Sequence, residues 1–148
     1  MNGGKMKFTL IIDPERDEEV VVYAKAASSL CDKIEDLVKS FGDELFGYRD
    51  SLVVRLDASD VSAFAVEDGK VFAVTADGRF LVKERLYQLE ERYGCAFVKI
   101  NQSCLVNVER IERFNTSIGG ALMVVTCDGY RDYVSRRQLK SVKERMRI

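Results

Sequence analysis

Apolar and polar positions change rhythm three times along this 148-residue chain. Residues 7–12 (Lys-Phe-Thr-Leu-Ile-Ile) and 19–24 (Glu-Val-Val-Val-Tyr-Ala) are short β-rich runs around an acidic turn, Asp13-Pro14-Glu15-Arg16-Asp17, and predict two strands. Leu30, Ile34, Leu37, Val38 and Phe41 then recur at i, i+4, i+7, i+8 and i+11, one apolar stripe on a helix over roughly 29–41. Ser29 is placed to cap it, with Asp32 three residues on, and Gly42 supplies a stop. The stripe calls for cover, from the strands or from a second copy of the chain.

From about residue 44 short strands alternate with turns. Leu52–Leu56, Ser62–Val66, Lys70–Thr75 and Arg79–Val82 are separated by turn signals that include Asp68-Gly69 and Asp77-Gly78. Leu86, Leu89 and Tyr93 mark a short helix that ends at Gly94. Strand signals return at Ala96–Ile100, Cys104–Val106, Ile111–Phe114, Ala121–Thr126 and Tyr130–Val134. A last helix follows, with Leu139, Val142 and Met146 on one face and Ser135-x-x-Gln138 as a capping box. Arg136 and Arg137 fall in its first turn, where cations oppose the helix dipole. A bound phosphate would relieve that conflict, because free backbone N–H groups and both guanidiniums could face one anion.

Composition narrows the chemistry. The absence of His removes imidazole bases, Ser-His-Asp and Cys-His catalysis and most zinc sites. There is no phosphate-binding glycine loop, no GxGxxG, no HExxH and no GxSxG, and the adjacent acids Glu18-Glu19, Glu67-Asp68 and Glu90-Glu91 read as solvated surface. Neither an enzyme nor a cofactor or metal site is expected. Cys31, Cys95, Cys104 and Cys127 are widely spaced and read as core-filling thiols in a reducing compartment. No apolar run approaches the ~18–20 residues of a membrane span, and the first residues lack a secretory signal. A soluble, cytoplasmic protein is the expectation.

Net charge is −1, yet it is unevenly spread. Residues 1–78 carry 9 basic and 16 acidic side chains, whereas residues 79–148 carry 14 and 8. The last eighteen residues alone hold seven Lys or Arg against Asp132 and Glu144. Such a concentration can steer a polyanion that the mean charge would not attract; a solvated helix face explains it equally well.

The run Phe97-Val98-Lys99-Ile100-Asn101-Gln102-Ser103-Cys104-Leu105-Val106-Asn107 through Ile111 resembles the central signature of the LytTR family of DNA-binding domains. The resemblance continues through Gly119-Gly120-Ala121-Leu122-Met123-Val124 and Asp128-Gly129 to Val134-Ser135-Arg136-Arg137-Gln138-Leu139-Lys140-Ser141-Val142-Lys143. Upstream, Asp60–Phe64, Asp68-Gly69-Lys70 and Leu86–Glu90 are similar to the family's first hairpin and mid-domain helix. The match spans about residues 44–148. It implies a mostly-β fold, a LytTR-type β-sheet sandwich of about ten strands in small packed sheets with short helices, preceded here by a small α+β (strand-strand-helix) extension over residues 1–43.

What the resemblance implies about function is a bacterial transcription regulator that binds specific double-stranded DNA through loops. Base contacts carry over to Lys70, Gln102 and Arg137. Lys99, Asn101, Ser103, Ser135, Arg136, Lys140 and Lys143 carry over as backbone or supporting contacts. Arg suits a guanine edge and Gln an adenine edge, whereas phosphate contacts fix register without reading sequence. Asn107 is expected to be structural, its amide tying a turn between two strands. The family often has His where this chain has Ile100, and Arg or Asn where it has Gln102, which shifts the expected base preference toward adenine at that step. The resemblance further implies direct repeats in promoters, its own operon among them, and a membrane-protein antagonist encoded nearby; no small-molecule substrate is implied. A homodimer formed through Val20–Tyr23 and the Leu30/Ile34/Leu37/Phe41 stripe is expected. The alternative is a LytTR-like protein-interaction or ligand-sensing module without DNA binding.

Overall fold

The computed structural model describes residues 6–40, 44–117 and 119–148. Its centre is strand β3 (Val61–Glu67), whose first five residues are all buried. A strand with one wet face would alternate; β3 does not, because both faces of its sheet are covered. The sheet has seven strands in the order β2-β1-β5-β4-β3-β7-β6. Its other members are β1 (Leu45–Arg49), β2 (Leu52–Leu56), β4 (Lys70–Thr75), β5 (Gly78–Val82), β6 (Phe97–Asn101) and β7 (Cys104–Asn107).

On one face lies helix α2 (Leu86–Tyr93), which buries Leu89 and Tyr93. There Phe64, Tyr93 and Phe97 form an aromatic trio with ring centroids 5.0–6.0 Å apart. On the other face lies a three-stranded sheet, β10-β9-β8, made of β8 (Ile111–Thr116), β9 (Leu122–Thr126) and β10 (Arg131–Val134). Helix α3 (Arg136–Met146) closes that side: Val142 is fully buried in one cluster with Ala63, Val98, Ile100, Val106, Leu122, Val124 and Val134. Each buried Val, Leu or Ile side chain there contributes about 1.5–3 kcal/mol relative to exposure.

A polar joint locks the two sheets together. The Ser62 hydroxyl donates to Asp128 Oδ2 at 2.6 Å, and Arg110 Nε donates to Ser62 Oγ at 2.9 Å, while Thr126 also donates to Asp128. Desolvation is the largest influence on the Asp128 carboxyl and pushes it up. The hydrogen bonds from Ser62, Thr126 and the Tyr130 backbone, with Arg110 nearby, outweigh it and hold the group below the usual carboxylate range. Asn107 is buried and structural, as expected: Nδ2 donates to the Val61 carbonyl at 3.0 Å and Oδ1 accepts from the Glu109 N–H.

Three sequence expectations need correction. The runs 7–12 and 19–24 are not strands here: residues 6–27 have no ladder, although the turn between the runs is formed. A lone two-stranded hairpin with nothing against its apolar face is marginal in water. Helix α1 (Ser29–Ser40) does form, but Ser28 rather than Ser29 meets the Cys31 N–H, and Phe41 and Gly42 lie outside the described residues. Its stripe is left open, with Leu30, Leu37 and Val38 exposed and Ile34 half-buried. Of the cysteines, only Cys104 is a core thiol; Cys127 is exposed, and Cys31 and Cys95 are half-buried. Burial pushes the Cys104 thiol up to about 12, so it stays neutral at physiological pH.

Strand β1 had no sequence signal, and Gly47 explains both its weakness and its place. A Cβ there would sit 2.6 Å from Phe80 Cβ and 2.8 Å from Leu56 Cδ1, so only glycine lets the three strands close up.

Candidate nucleic-acid interface

Three connections project at one end of the molecule. The β3–β4 hairpin turns on Asp68 and Gly69, both with positive φ (52° and 75°), the backbone of a tight two-residue hairpin turn. Lys70 follows the tip directly, opposite Glu67. The β6–β7 hairpin turns on Gln102 and Ser103, with Asn101 paired to Cys104. Because β4-β3-β7-β6 are consecutive in the sheet, the two tips stand side by side, about 10 Å apart at the usual strand spacing. The third connection is the β10–α3 junction at Ser135, Arg136 and Arg137.

Backbone hydrogen bonds fasten these pieces to one another. The Val66 N–H donates to the Ser103 carbonyl at 2.8 Å, joining the first tip to the second. The Ser135 N–H donates to the Ile100 carbonyl, also at 2.8 Å, joining the second to the helix start. Asn101 braces the middle: Oδ1 accepts from the Ser103 N–H at 2.8 Å and Nδ2 donates to the Tyr133 carbonyl at 2.9 Å. Lys70, Gln102 and Arg137, the three candidate base readers, are therefore brought to one edge, and all three are exposed.

The other candidates divide by position. Ser103, Arg136, Lys140 and Lys143 are exposed on the same edge or along α3. Asn101 is half-buried and engaged at both ends of its amide, which makes it a brace. Lys99 is half-buried and lies two residues back from Asn101 on β6. Ser135 occupies the N-cap position, but its hydroxyl makes no capping bond, so the expected capping box does not form. The Gln138 side chain turns instead toward Ser141 Oγ at 3.4 Å. The first-turn N–H groups of α3 are left without a side-chain cap, beside two guanidiniums, an arrangement that suits an anion.

Some surface cations are neutralised by carboxylates, and those of this edge are not among them. Arg16, Lys33, Lys39, Arg55, Arg79 and Arg113 each pair with a carboxylate. Among the described residues, Lys70, Lys99, Arg136, Arg137, Lys140 and Lys143 do not. The Glu67 carboxylate, which would otherwise stand opposite Lys70, is held by Arg79.

Two further candidates escaped the sequence reading. Arg147 lines a shallow groove with Arg136, Lys140 and Lys143, extending their row to the end of α3. The i, i+4, i+7, i+11 spacing would have found it; the row is about 16 Å long at helical rise. Tyr133 is exposed two residues before Ser135, at the carbonyl that Asn101 grips. Its signal was the alternation in β10, which turns Val134 inward and Tyr133 outward.

Residues 51–147 match the family model of the LytTr DNA-binding domain. The chain is 34% identical over 148 residues to an uncharacterized HTH-type transcriptional regulator of Staphylococcus aureus strain MW2, covering 97% of this chain and 99% of the relative. A relative of the same description in strain COL matches at the same level. A solved LytTr DNA-binding domain from Bacillus cereus, of a methyl-accepting/DNA response regulator by its description, superposes with a TM-score of 0.67 at 16% identity, covering 72% of this chain and 100% of that one. Among the described residues no two helices follow one another directly, so the helix-turn-helix in the relatives' name has no counterpart in this part of the fold.

Proposed function

Given that the chain belongs to the LytTR family of DNA-binding domains, we propose that this DNA-binding transcriptional regulator reads its operator with Lys70, Gln102 and Arg137. Lys70 and Arg137 suit guanine edges and Gln102 an adenine edge, each good pair worth about 1–3 kcal/mol of discrimination. Ser103, Arg136, Lys140 and Lys143 hold phosphates, Lys99 adds to them from the flank, and Asn101 and Ser135 position the loops. Residues 44–148 form the DNA-binding unit and residues 1–43 the extension that pairs two chains on direct repeats. Family resemblance alone extends the reading to a bacterial cytoplasm, control of its own operon and a membrane-protein antagonist encoded nearby.

One observation carries the reading: three exposed tips, two bearing cations (Lys70; Arg136 and Arg137) and the middle one Gln102, are joined to each other by two 2.8 Å backbone hydrogen bonds. Fluorescence anisotropy on the protein's own upstream DNA, repeated across salt concentrations, tests it. Specific binding is expected, with a log–log salt slope of about −0.9 for each phosphate neutralised. Flat salt dependence, or equal affinity for scrambled DNA, would favour the protein-interaction alternative.

A further inference from the structure

Residues 6–27 form an arm that its own chain leaves uncovered. Phe8, Leu10, Ile12, Val20 and Tyr23 retain between 60% and 95% of their surface. Among the described residues the arm makes no hydrogen bond or ion pair outside its turn, where Arg16 N–H donates to Asp13 O at 3.3 Å and Arg16 pairs with Glu19. The turn that would join two strands is therefore in place while the strands are not. Helix α1, directly after the arm, presents a second uncovered apolar face. Donor segment and acceptor face are both open on the same molecule.

We infer that a second copy of this chain covers both: the 7–12 and 19–23 runs become strands only in a two-fold dimer, where the arms pair and lie across the α1 helices. Three arguments select a second copy. When the runs are extended, Phe8, Leu10 and Ile12 share one face of the first, and Val20 and Val22 share one face of the second, apolar sides of the kind a helix stripe needs. A surface bearing both an open segment and its open acceptor is self-complementary, the condition for a two-fold interface. The area also suffices. Twelve large apolar residues of the arm and α1 are exposed; at about 100 Å² each, two chains bury about 2,400 Å², within the range of obligate homodimers.

This inference deepens the regulator reading, and only its DNA consequence rests on that reading. The test is light scattering with hydrogen exchange on the full chain, wild type against Val22→Asp, with Leu10→Asp as a second variant. Expected are a wild-type dimer at micromolar concentration with slowed exchange in both runs, and monomers with fast-exchanging runs in the variants. Exchange on the wild type alone decides the matter even if a variant misfolds. A monomeric wild type, or a dimer whose arm amides exchange freely, overturns the inference. On DNA, Val22→Asp is expected to keep single-site binding and to lose about 100-fold or more on a two-repeat probe. A protected dimer that binds no DNA would sink the regulator reading and leave the arm exchange standing; a DNA-binding monomer would do the reverse.

Discussion

The arm and the β body carry the same kind of sequence signal and meet opposite fates. Lys7–Ile12 is as β-prone as Lys70–Thr75, and both border a turn that forms. Lys70–Thr75 becomes a strand because β3 and β5 flank it and the apolar residues of both its faces are covered. The arm has neither neighbour. Strand propensity is thus a conditional statement: it says what a segment does once a ladder and a cover exist.

That contrast can be broken most severely in the body. Phe64→Ala removes the ring that packs against both Tyr93 and Phe97, and should cost about 3–5 kcal/mol in denaturant unfolding. Tyr23→Ala, measured below the dimerisation range, should stay within about 0.5 kcal/mol of wild type. Comparable losses would mean that the arm belongs to the folded unit. Next in size, Arg137→Ala should weaken operator binding by about 1–3 kcal/mol and relax preference at one base step, with an unchanged melting temperature.

Asp128 sharpens the comparison through pH. Its folded pKa lies below the unfolded value of 3.8, so its stabilisation is present above that value and fades as pH falls through the folded pKa. Acid titration of Asp128→Asn should show a shallower acid limb, while arm-residue substitutions leave that limb unaltered. The smallest effect is expected from Lys143→Ala, which should weaken all DNA sequences alike and reduce the salt slope by about 0.9.

Most of the body was legible because its signals are local. Period-2 runs and Asx-Gly turns locate nine of its strands, and the 3.6-residue stripes locate all three helices. Strand β1 was missed because Gly47 has no side chain to register in the pattern; its reason is the approach of Phe80 and Leu56, which no local window contains. The candidate readers came from family motifs, but their juxtaposition depends on the Val66–Ser103 and Ser135–Ile100 bonds between residues more than thirty positions apart. Arg147 was recoverable by helical arithmetic. The open cap at Ser135 was not, since S-x-x-Q reads as closed until the side chains are seen.

The backbone fastening of the three tips has a consequence for how such a protein changes over generations. On the proposed reading, side chains at 70, 102 and 137 can be exchanged one at a time, each altering a single letter of the preferred site. The intervals between those letters belong to the main chain, so mutation can rewrite the operator's spelling freely while its phasing stays inherited.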